Sequence, residues 1–487
     1  MKKIISTAKL LLIREKHIDF FLRFFLDSVF DRFSLVTSYT LIPHYKQLFE
    51  IILNWSTITL DQLFLSSVQS LDMPESSAKV KTFYVGDIHG EINHLMFNLI
   101  GSGVFQFNTL GLPFLMFDPL NKKSYDFFEL MRNPVDKLSH FQLIPNLIFS
   151  GNNDSRVVIL GDILDRGPYM DQCLSLILYL LDQQRYLLMK KEMCIKQLFV
   201  ILGDHEIYGV NPDITLSPNY KTTFGMPFFV KNSDQHSLLN TFQILNNAFV
   251  NGDIEYAYYG VNDEYVAHST INTFFLSKVV ESFNDLNFIC LNKRLDLVKK
   301  LTFINNVNDI LYSSKTIDFL PDIISFLNEV FKELAYLLAM DSIISFSDRM
   351  HLIRHPMIVI DDMIESPLWA RPFSNTKSKN IIEHLGIVGH SSLSNGLCQI
   401  ISINSKPKVI SVDVQASWIY RSDQKFRYSR ARLTYWDPDK NQLLHTRLSR
   451  EADCFTNGLF WPNENKKGIY KKILKFLSYL PIKIANK

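Results

Sequence analysis

The sequence has little that would support a disulfide framework, a membrane span or a nucleic-acid surface. Its five cysteines are odd in number and scattered without a Cys-x-x-Cys pair, so we expect the chain to fold in a reducing compartment. It has no run of about 18 uncharged apolar residues, so we expect no membrane-spanning helix. The formal net charge is only +2, which gives no reason to expect a nucleic-acid partner.

The chain is long enough and apolar enough to build a large domain with added segments. It has 487 residues, of which 47% are hydrophobic. Residues 1–75 carry apolar side chains at helical spacing, which predicts a helical N-terminal extension. Short apolar runs that alternate with helical stretches predict an α/β catalytic domain over 80–450. Within that domain, a helical pattern over about 272–365 predicts an insert.

The tail at 463–487 alternates lysines with apolar residues. This pattern is typical of a basic amphipathic helix. Such a helix could contact a membrane surface, or it could pack its apolar stripe on the body of the protein and leave its lysines in solvent. The sequence leaves both alternatives open.

Four segments place metal-binding side chains directly after an apolar run. They are GDIHG at 86–90, GDILDRG at 161–167, GDHE at 203–206 and GH at 389–390. The carboxyl ends of neighbouring strands in an α/β sheet meet at one edge, where reactive loops gather. A glycine before the ligand lets the backbone turn sharply at the strand end. One Asp-x-His string is commonplace, but four such segments indicate a single shared site.

These side chains suit a pair of divalent cations. Hydrolysis of a phosphoester at neutral pH needs a strong oxygen nucleophile and neutralisation of the phosphoryl charge, and two ions about 3.5–4 Å apart supply both. Such a site requires a carboxylate that bridges the ions, with carboxylate, imidazole or amide ligands on either side. Asp162 is the candidate bridge. The other candidate ligands are Asp87, His89 and His390 for the first ion and Asp204 and His268 for the second.

Other residues suit the phosphate and the leaving group. Arg166 lies four residues after the candidate bridge, and a guanidinium binds two phosphate oxygens through paired donors. Arg371 is a second candidate for this role, although it could simply stack on the nearby Trp369. His205 could protonate the leaving oxygen, and Asp165 would hold His205 in the tautomer that this step requires.

The motifs resemble those of metallophosphoesterases of the phosphoprotein phosphatase (PPP) family. The family signatures GDxHG and GDxxDRG are matched in full at 86–90 and 161–167. The signature GNH(E/D) is matched at 203–206 except at its second position. The two later histidines of the family correspond to His268 and His390, which follow apolar runs in the expected order.

The resemblance implies a fold, a set of cofactors and residue roles. The fold would be a calcineurin-like α/β sandwich of two sheets flanked by helices. The cofactors would be two divalent ions, with Mn²⁺ expected first and Fe or Zn²⁺ as alternatives. Asp165 and His205 would form the acid pair, and Arg166 and a later arginine would hold the phosphate.

The chain departs from the family pattern at two positions of the candidate site. Asp204 stands where the family has Asn, which adds negative charge beside the phosphate and removes an amide donor. The segment at His268 reads His-Ser-Thr where the family has His-Gly-Gly. These departures and the long helical additions resemble a divergent bacterial branch, similar to the WipA and WipB type of Legionella effector phosphatases. That resemblance implies secretion into a host cell.

The sequence therefore predicts a metal-dependent phosphatase that acts on phosphorylated Tyr or Ser/Thr side chains of proteins. The expected reaction is in-line attack by a metal-bridging hydroxide, and the absence of a Cys-x5-Arg string argues against a cysteine nucleophile. Two alternatives stay open. One is a dinucleoside polyphosphate hydrolase, which shares these motifs. The other is a binding protein whose catalytic site has decayed, with Asp204 as the mark of that decay.

Overall fold

The structure is a computed structural model, and every residue that it describes lies in the second of two units of the chain, Thr59–Lys487. The described residues are 64–73, 80–108, 114–125, 142–165, 169–209, 235–285, 320–339, 352, 354–358, 366–368, 370, 384–390, 397–403, 406–413 and 432–448. The tail at 463–487 and the two candidate arginines, Arg166 and Arg371, lie outside them. None of the described helices is long and apolar enough to cross a membrane.

Strands outnumber helices in the described part of the chain. The strands are β1 (Phe64–Asp72), β2 (Lys81–Val85), β3 (Phe105–Phe107), β4 (Phe114–Asp118), β5 (Lys123–Tyr125), β6 (Gln142–Pro145), β7 (Leu147–Phe149), β8 (Ser155–Ile159), β9 (Leu198–Val200), β10 (Ala257–Tyr259), β11 (Tyr265–Ala267), β12 (Gly386–Val388), β13 (Gln399–Ile403), β14 (Lys406–Ser411), β15 (Arg432–Asp437) and β16 (Gln442–Leu448). The helices are α1 (Ile92–Gly101), α2 (Met170–Met189), α3 (Gln235–Val250), α4 (Thr273–Asp285) and α5 (Leu320–Ala339), with a short 3-10 helix at Glu206–Gly209.

Two large sheets dominate this mixed α/β structure. The six-stranded sheet has the order β1-β16-β15-β2-β8-β9, and β2, β8 and β9 run parallel. The five-stranded sheet has the order β10-β11-β12-β14-β13, and β11, β12 and β14 run parallel. Two smaller sheets are formed by β3 with β7 and by β4 with β5 and β6. Strands β9 (LFV), β11 (YVA) and β12 (GIV) carry no charged residue and are buried throughout, as expected for strands covered on both faces.

Side chains from both large sheets meet in one apolar core. Val158 and Phe199 come from the six-stranded sheet, and Val266, Ile387 and Ile410 come from the five-stranded sheet. Full burial of such a side chain contributes about 1.5–3 kcal/mol. This shared core fixes the two sheets against each other, and it therefore fixes the loops that leave their strands.

Helix α5 covers the outer edge of β10. The side-chain oxygen of Asn328 accepts hydrogen bonds from the backbone N–H groups of Tyr256 (2.8 Å) and Ala257 (3.0 Å). The side-chain amide of Asn328 donates to the carbonyl oxygen of Ala257 at 2.8 Å. Phe331 packs on Tyr256, with ring centroids 5.5 Å apart, and on Phe249 of α3. One side chain of α5 thus supplies the hydrogen bonds that a further strand would make.

Strand β1 corrects part of the expected helical extension at 1–75. Residues 1–63 lie outside the described part, but Phe64–Asp72 forms a strand that pairs antiparallel with β16. Phe64, Val68 and Leu71 fit a helical spacing, so periodicity over nine residues did not separate the two structures. Pairing with β16 favours a strand over a helix in this segment, because strand preference depends on cross-strand neighbours.

Candidate metal centre

The loops after β2 and β8 are joined by backbone hydrogen bonds. The N–H groups of Ile88 and His89 donate to the carbonyl oxygen of Asp162, at 3.0 and 2.5 Å. The N–H of Gly90 donates to the carbonyl oxygen of Ile163 at 2.8 Å. These bonds hold the GDIHG segment directly against the GDILDRG segment, as neighbouring parallel strands require.

Four candidate site residues adopt the left-handed backbone conformation. They are His89 (φ 46°), Asp162 (φ 48°), Asp165 (φ 67°) and His390 (φ 54°). Each non-glycine residue held in this region costs about 1–3 kcal/mol. Such strain persists only where the surrounding contacts fix it, and here the hydrogen bonds between loops do so.

Two glycines allow the loop after β8 to contact the loop after β9. Gly161 has φ +92°, and a Cβ atom there would collide with the backbone of Gly203. A Cβ atom on Gly203 would collide with the backbone and side chain of Asp162. The sequence pattern predicts sharp turns at these glycines. The structure adds a second reason, because the loops approach too closely for any side chain between them.

One group of possible metal ligands contains Asp162, Asp204, His268 and His390, all buried, with one ligand atom of each within 4.8 Å of the others. The Nε2 atom of His268 lies 3.0 Å from Oδ1 of Asp204 and 3.5 Å from Oδ1 of Asp162. The Nδ1 atom of His390 lies 3.3 Å from Oδ1 of Asp204. The other ring nitrogen of His268, Nδ1, lies 2.7 Å from the carbonyl oxygen of Leu160, which orients the ring.

A second group contains His89, Asp162 and His205, all buried. The Nε2 atom of His89 lies 3.3 Å from Oδ2 of Asp162, and that of His205 lies 3.9 Å from the same oxygen. Asp87 is adjacent, with its Oδ2 3.8 Å from Nε2 of His89. Asp162 belongs to both groups and presents a different oxygen to each, which is the geometry expected of a bridge.

The position of His390 corrects its assignment to the first ion. Its imidazole lies with Asp204 and His268, where Nδ1 is 3.1 Å from Nε2 of His268. Its backbone, by contrast, contacts Asp87, because the N–H of His390 donates to Oδ1 of Asp87 at 3.0 Å. The backbone of His390 thus lies beside Asp87 while its ring lies with Asp204 and His268.

His205 and Asp165 form a close pair beside Asp162. The Nδ1 atom of His205 lies 2.9 Å from Oδ2 of Asp165. Its other nitrogen, Nε2, lies on the side of Asp162. A carboxylate at Nδ1 fixes the imidazole tautomer and stabilises its charged form. This arrangement is what a histidine acid requires.

Burial and mutual charge perturb the ionisation of the site. Burial raises the pKa of Asp162 well above its usual range, and the Asp204 carboxylate adds to this effect. Burial acts in the same direction on Asp204, but His390 and His205 outweigh it and hold the pKa of Asp204 well below its usual range. Burial opposes the charged form of His268, yet Asp162 and Asp204 raise its pKa.

The donor set therefore fits divalent cations. Buried carboxylates need a positive partner, and protonated imidazoles occupy that role when no ion is bound. Carboxylate oxygens and imidazole nitrogens suit Mn, Fe and Zn. An ion in either group would replace the proton as the partner of these carboxylates.

Two further buried side chains, Glu206 and Ser269, contact the loops of the site and have no role predicted from the sequence. Glu206 is fully buried, and its two oxygens accept the N–H groups of Leu164 and Gly203, both at 2.9 Å. Ser269 is also fully buried, and its hydroxyl donates to the carbonyl oxygen of Ala370. Glu206 is the last position of the GNH(E/D) signature, whereas nothing in the sequence indicates the contact of Ser269.

Arg166 and Arg371 lie outside the described residues, but the residue before each of them is described. Arg166 follows Asp165, which pairs with His205. Arg371 follows Ala370, whose segment is bonded to the residue after His268. Their roles in binding phosphate stay predictions.

Comparisons with known proteins give distant likenesses only. No family model and no curated protein matches the sequence. A cold-active protein-tyrosine phosphatase of a psychrophilic Shewanella species is 16% identical, over 77% of this chain and 82% of that one, with a TM-score of 0.32. A Saccharomyces cerevisiae serine/threonine phosphatase with similarity to human phosphatase PP5 is 13% identical, over 83% and 90%, with a TM-score of 0.33.

A third similar structure is the phosphatase domain of the Legionella effector WipB. It is 13% identical, over 65% of this chain and 100% of that domain, with a TM-score of 0.33. These neighbours are phosphatases. At such low identities and TM-scores we draw no conclusion about activity from the likeness, and the proposal below depends on the site itself.

Proposed function

We propose that the chain is a metal-dependent phosphoprotein phosphatase built on the calcineurin-like two-sheet sandwich. The observation that carries the proposal is the position of Asp162, which belongs to both groups of potential metal ligands. A carboxylate shared between two ligand groups is the central requirement of a two-metal hydrolase. The apolar core common to the two large sheets supports the proposed fold.

We assign one ion to each group, with Asp87 taken in place of His205 beside His89, because His205 has the acid role. Asp87, His89 and Asp162 would hold the first ion, and Asp162 would share the second with Asp204, His268 and His390, ligands that suit Mn²⁺, Fe or Zn²⁺. Two bound metal ions would neutralise phosphoryl charge and lower the pKa of a water bound to them.

The remaining roles belong to side chains of the chain itself. His205 would donate a proton from Nε2 to the leaving oxygen, because Asp165 occupies its Nδ1 side. Arg166 and Arg371 would bind phosphate oxygens through paired N–H donors. Asp204 would strengthen cation binding relative to an amide ligand, and its contacts with His268 and His390 offset part of its negative charge.

The proposal is tested by measuring turnover of an aryl phosphate by the full chain with Mn²⁺. Asp162→Asn and His205→Ala are each expected to abolish most turnover, because they remove the bridge and the acid. His384→Ala is the matched control, since His384 is half-buried and belongs to neither ligand group. A wild-type rate for His205→Ala would overturn the acid assignment.

Substrate choice separates the proposed activity from its alternatives. A panel of phosphotyrosine and phosphoserine/threonine peptides, measured beside diadenosine tetraphosphate, would distinguish a protein phosphatase from a nucleotide hydrolase. Metal analysis would address the binding-protein alternative, because an enzyme of this type carries about two ions per chain. An absence of metal after growth in metal-rich medium would favour the binding protein. A host phosphoprotein as substrate, and secretion as an effector, belong to the same proposal and await a test in infected cells.

A further inference from the structure

A buried carboxylate joins the two loops that carry most of the site. Glu206 is 0% exposed, and its Oε1 accepts the N–H of Leu164 while its Oε2 accepts the N–H of Gly203, each at 2.9 Å. Leu164 lies between Asp162 and Asp165 in the loop after β8. Gly203 directly precedes Asp204 and His205 in the loop after β9.

The carboxylate occupies a space that only glycine leaves open. A Cβ atom on Gly203 would lie 2.6 Å from Oε2 of Glu206 and would also collide with Asp162. The N–H of His205 adds a direct bond between the loops, because it donates to Oδ1 of Asp162 at 3.2 Å. Each oxygen of Glu206 faces a backbone N–H, and Glu206 belongs to neither group of potential metal ligands.

We propose that Glu206 is a positioning residue that sets the spacing between Asp162 and Asp204. This inference rests on the proposed function, because the spacing matters only if these carboxylates hold a pair of ions. Hydrogen bonds from backbone N–H groups to a carboxylate are about twice as strong as neutral ones. Two such bonds from one side chain fix both loops to one rigid group.

The substitution Glu206→Gln separates this role from general support of the fold. The amide keeps the size of the side chain, but only its oxygen accepts an N–H, and its NH₂ group faces the second N–H as a donor. One loop therefore loses its bond while the other keeps it. Loss of a partner that orients metal ligands costs about 10–100-fold in metal affinity or activity.

The experiment uses the full chain and three readouts. Binding of Mn²⁺ is followed by electron paramagnetic resonance titration, turnover of an aryl phosphate gives kcat and KM, and hydrogen exchange is measured on the peptides that contain Leu164 and Gly203. For Glu206→Gln we expect Mn²⁺ affinity and kcat to fall by about 10–100-fold with little change in KM, and faster exchange in one loop. Glu281→Gln is the matched control, because Glu281 is exposed and pairs only with Lys278 at the surface among the contacts described.

Each outcome bears on the inference. Wild-type Mn²⁺ affinity, kcat and exchange in Glu206→Gln would overturn it. So would a loss of activity that matches the loss of folded protein, because that result assigns Glu206 to fold stability alone. A wild-type chain that neither binds Mn²⁺ nor turns over substrate would overturn the proposed function instead. In that case exchange still decides whether Glu206 joins the loops.

Discussion

A buried glutamate in the turn that precedes β11 gives the sharpest prediction about stability. Glu264 is fully buried in the turn between β10 and β11. Its Oε1 accepts the hydroxyl of Tyr84 at 2.6 Å, and its Oε2 accepts the N–H of Asn262 at 2.9 Å. Burial raises its pKa from 4.5 to about 7, although these hydrogen bonds lower it. The hydrogen bond between Tyr84 of β2 and Glu264 joins the six-stranded sheet to the turn between two strands of the five-stranded sheet.

The raised pKa couples this group to folding. Between pH 4.5 and 7 the folded chain holds a proton on Glu264 that the unfolded chain releases, so folding is stabilised by acid in this window. The contribution is fully present below pH 4.5 and is lost as pH rises through 7. One pKa unit corresponds to about 1.4 kcal/mol, so the difference between the two states amounts to about 3 kcal/mol.

Glu264→Gln should remove this pH dependence, because the amide does not titrate. The assay is urea unfolding of wild type and variant at intervals from pH 4.5 to 7.5. The unfolding free energy of wild type minus that of the variant should fall by about 3 kcal/mol across the interval. Glu281→Gln makes the same change at an exposed position and is the control for the substitution itself. Parallel curves for wild type and Glu264→Gln would refute the reasoning.

Three further changes have predictable results. Gly161→Ala should destabilise the fold by about 3 kcal/mol or more in urea unfolding, because it combines a left-handed φ with a collision against Gly203; soluble protein with wild-type stability would contradict the described loop contact. Asn328→Ala should cost about 2 kcal/mol or more by the same assay, because it leaves the N–H groups of Tyr256 and Ala257 without their acceptor; a neutral effect would mean that water replaces it. Removal of metal by a chelator should lower Tm, because ions bound only by the folded chain stabilise it; an unchanged Tm in calorimetry would count against metal binding.

Much of the candidate site could be predicted because its residues follow strands directly. Asp87, His89 and Asp162 each lie within four residues of a parallel strand, so the sheet alone brings them together. Strand ends also place His268 and His390 nearby. Local sequence therefore sufficed to predict which side chains gather at this edge.

Finer features depend on contacts that local sequence does not encode. His390 has a left-handed backbone and its ring lies with Asp204, and residue type alone indicates neither feature. The role of Glu206 depends on two backbone N–H groups, one of them 42 residues away in sequence. Strand β1 depends on β16, hundreds of residues further along the chain, so its nine residues matched a helical pattern equally well.

The contact between Asn328 and β10 bears on whether β10 can pair with another polypeptide. In the part of the chain that the structure describes, β10 is an edge strand of its sheet, and an open edge strand can pair with another polypeptide. The Asn328 side chain forms hydrogen bonds with the backbone groups of Tyr256 and Ala257 that a further strand would otherwise bind. We therefore expect a truncated form without the segment that contains α5 to expose these backbone groups of β10 and to self-associate, whether or not it is catalytically active.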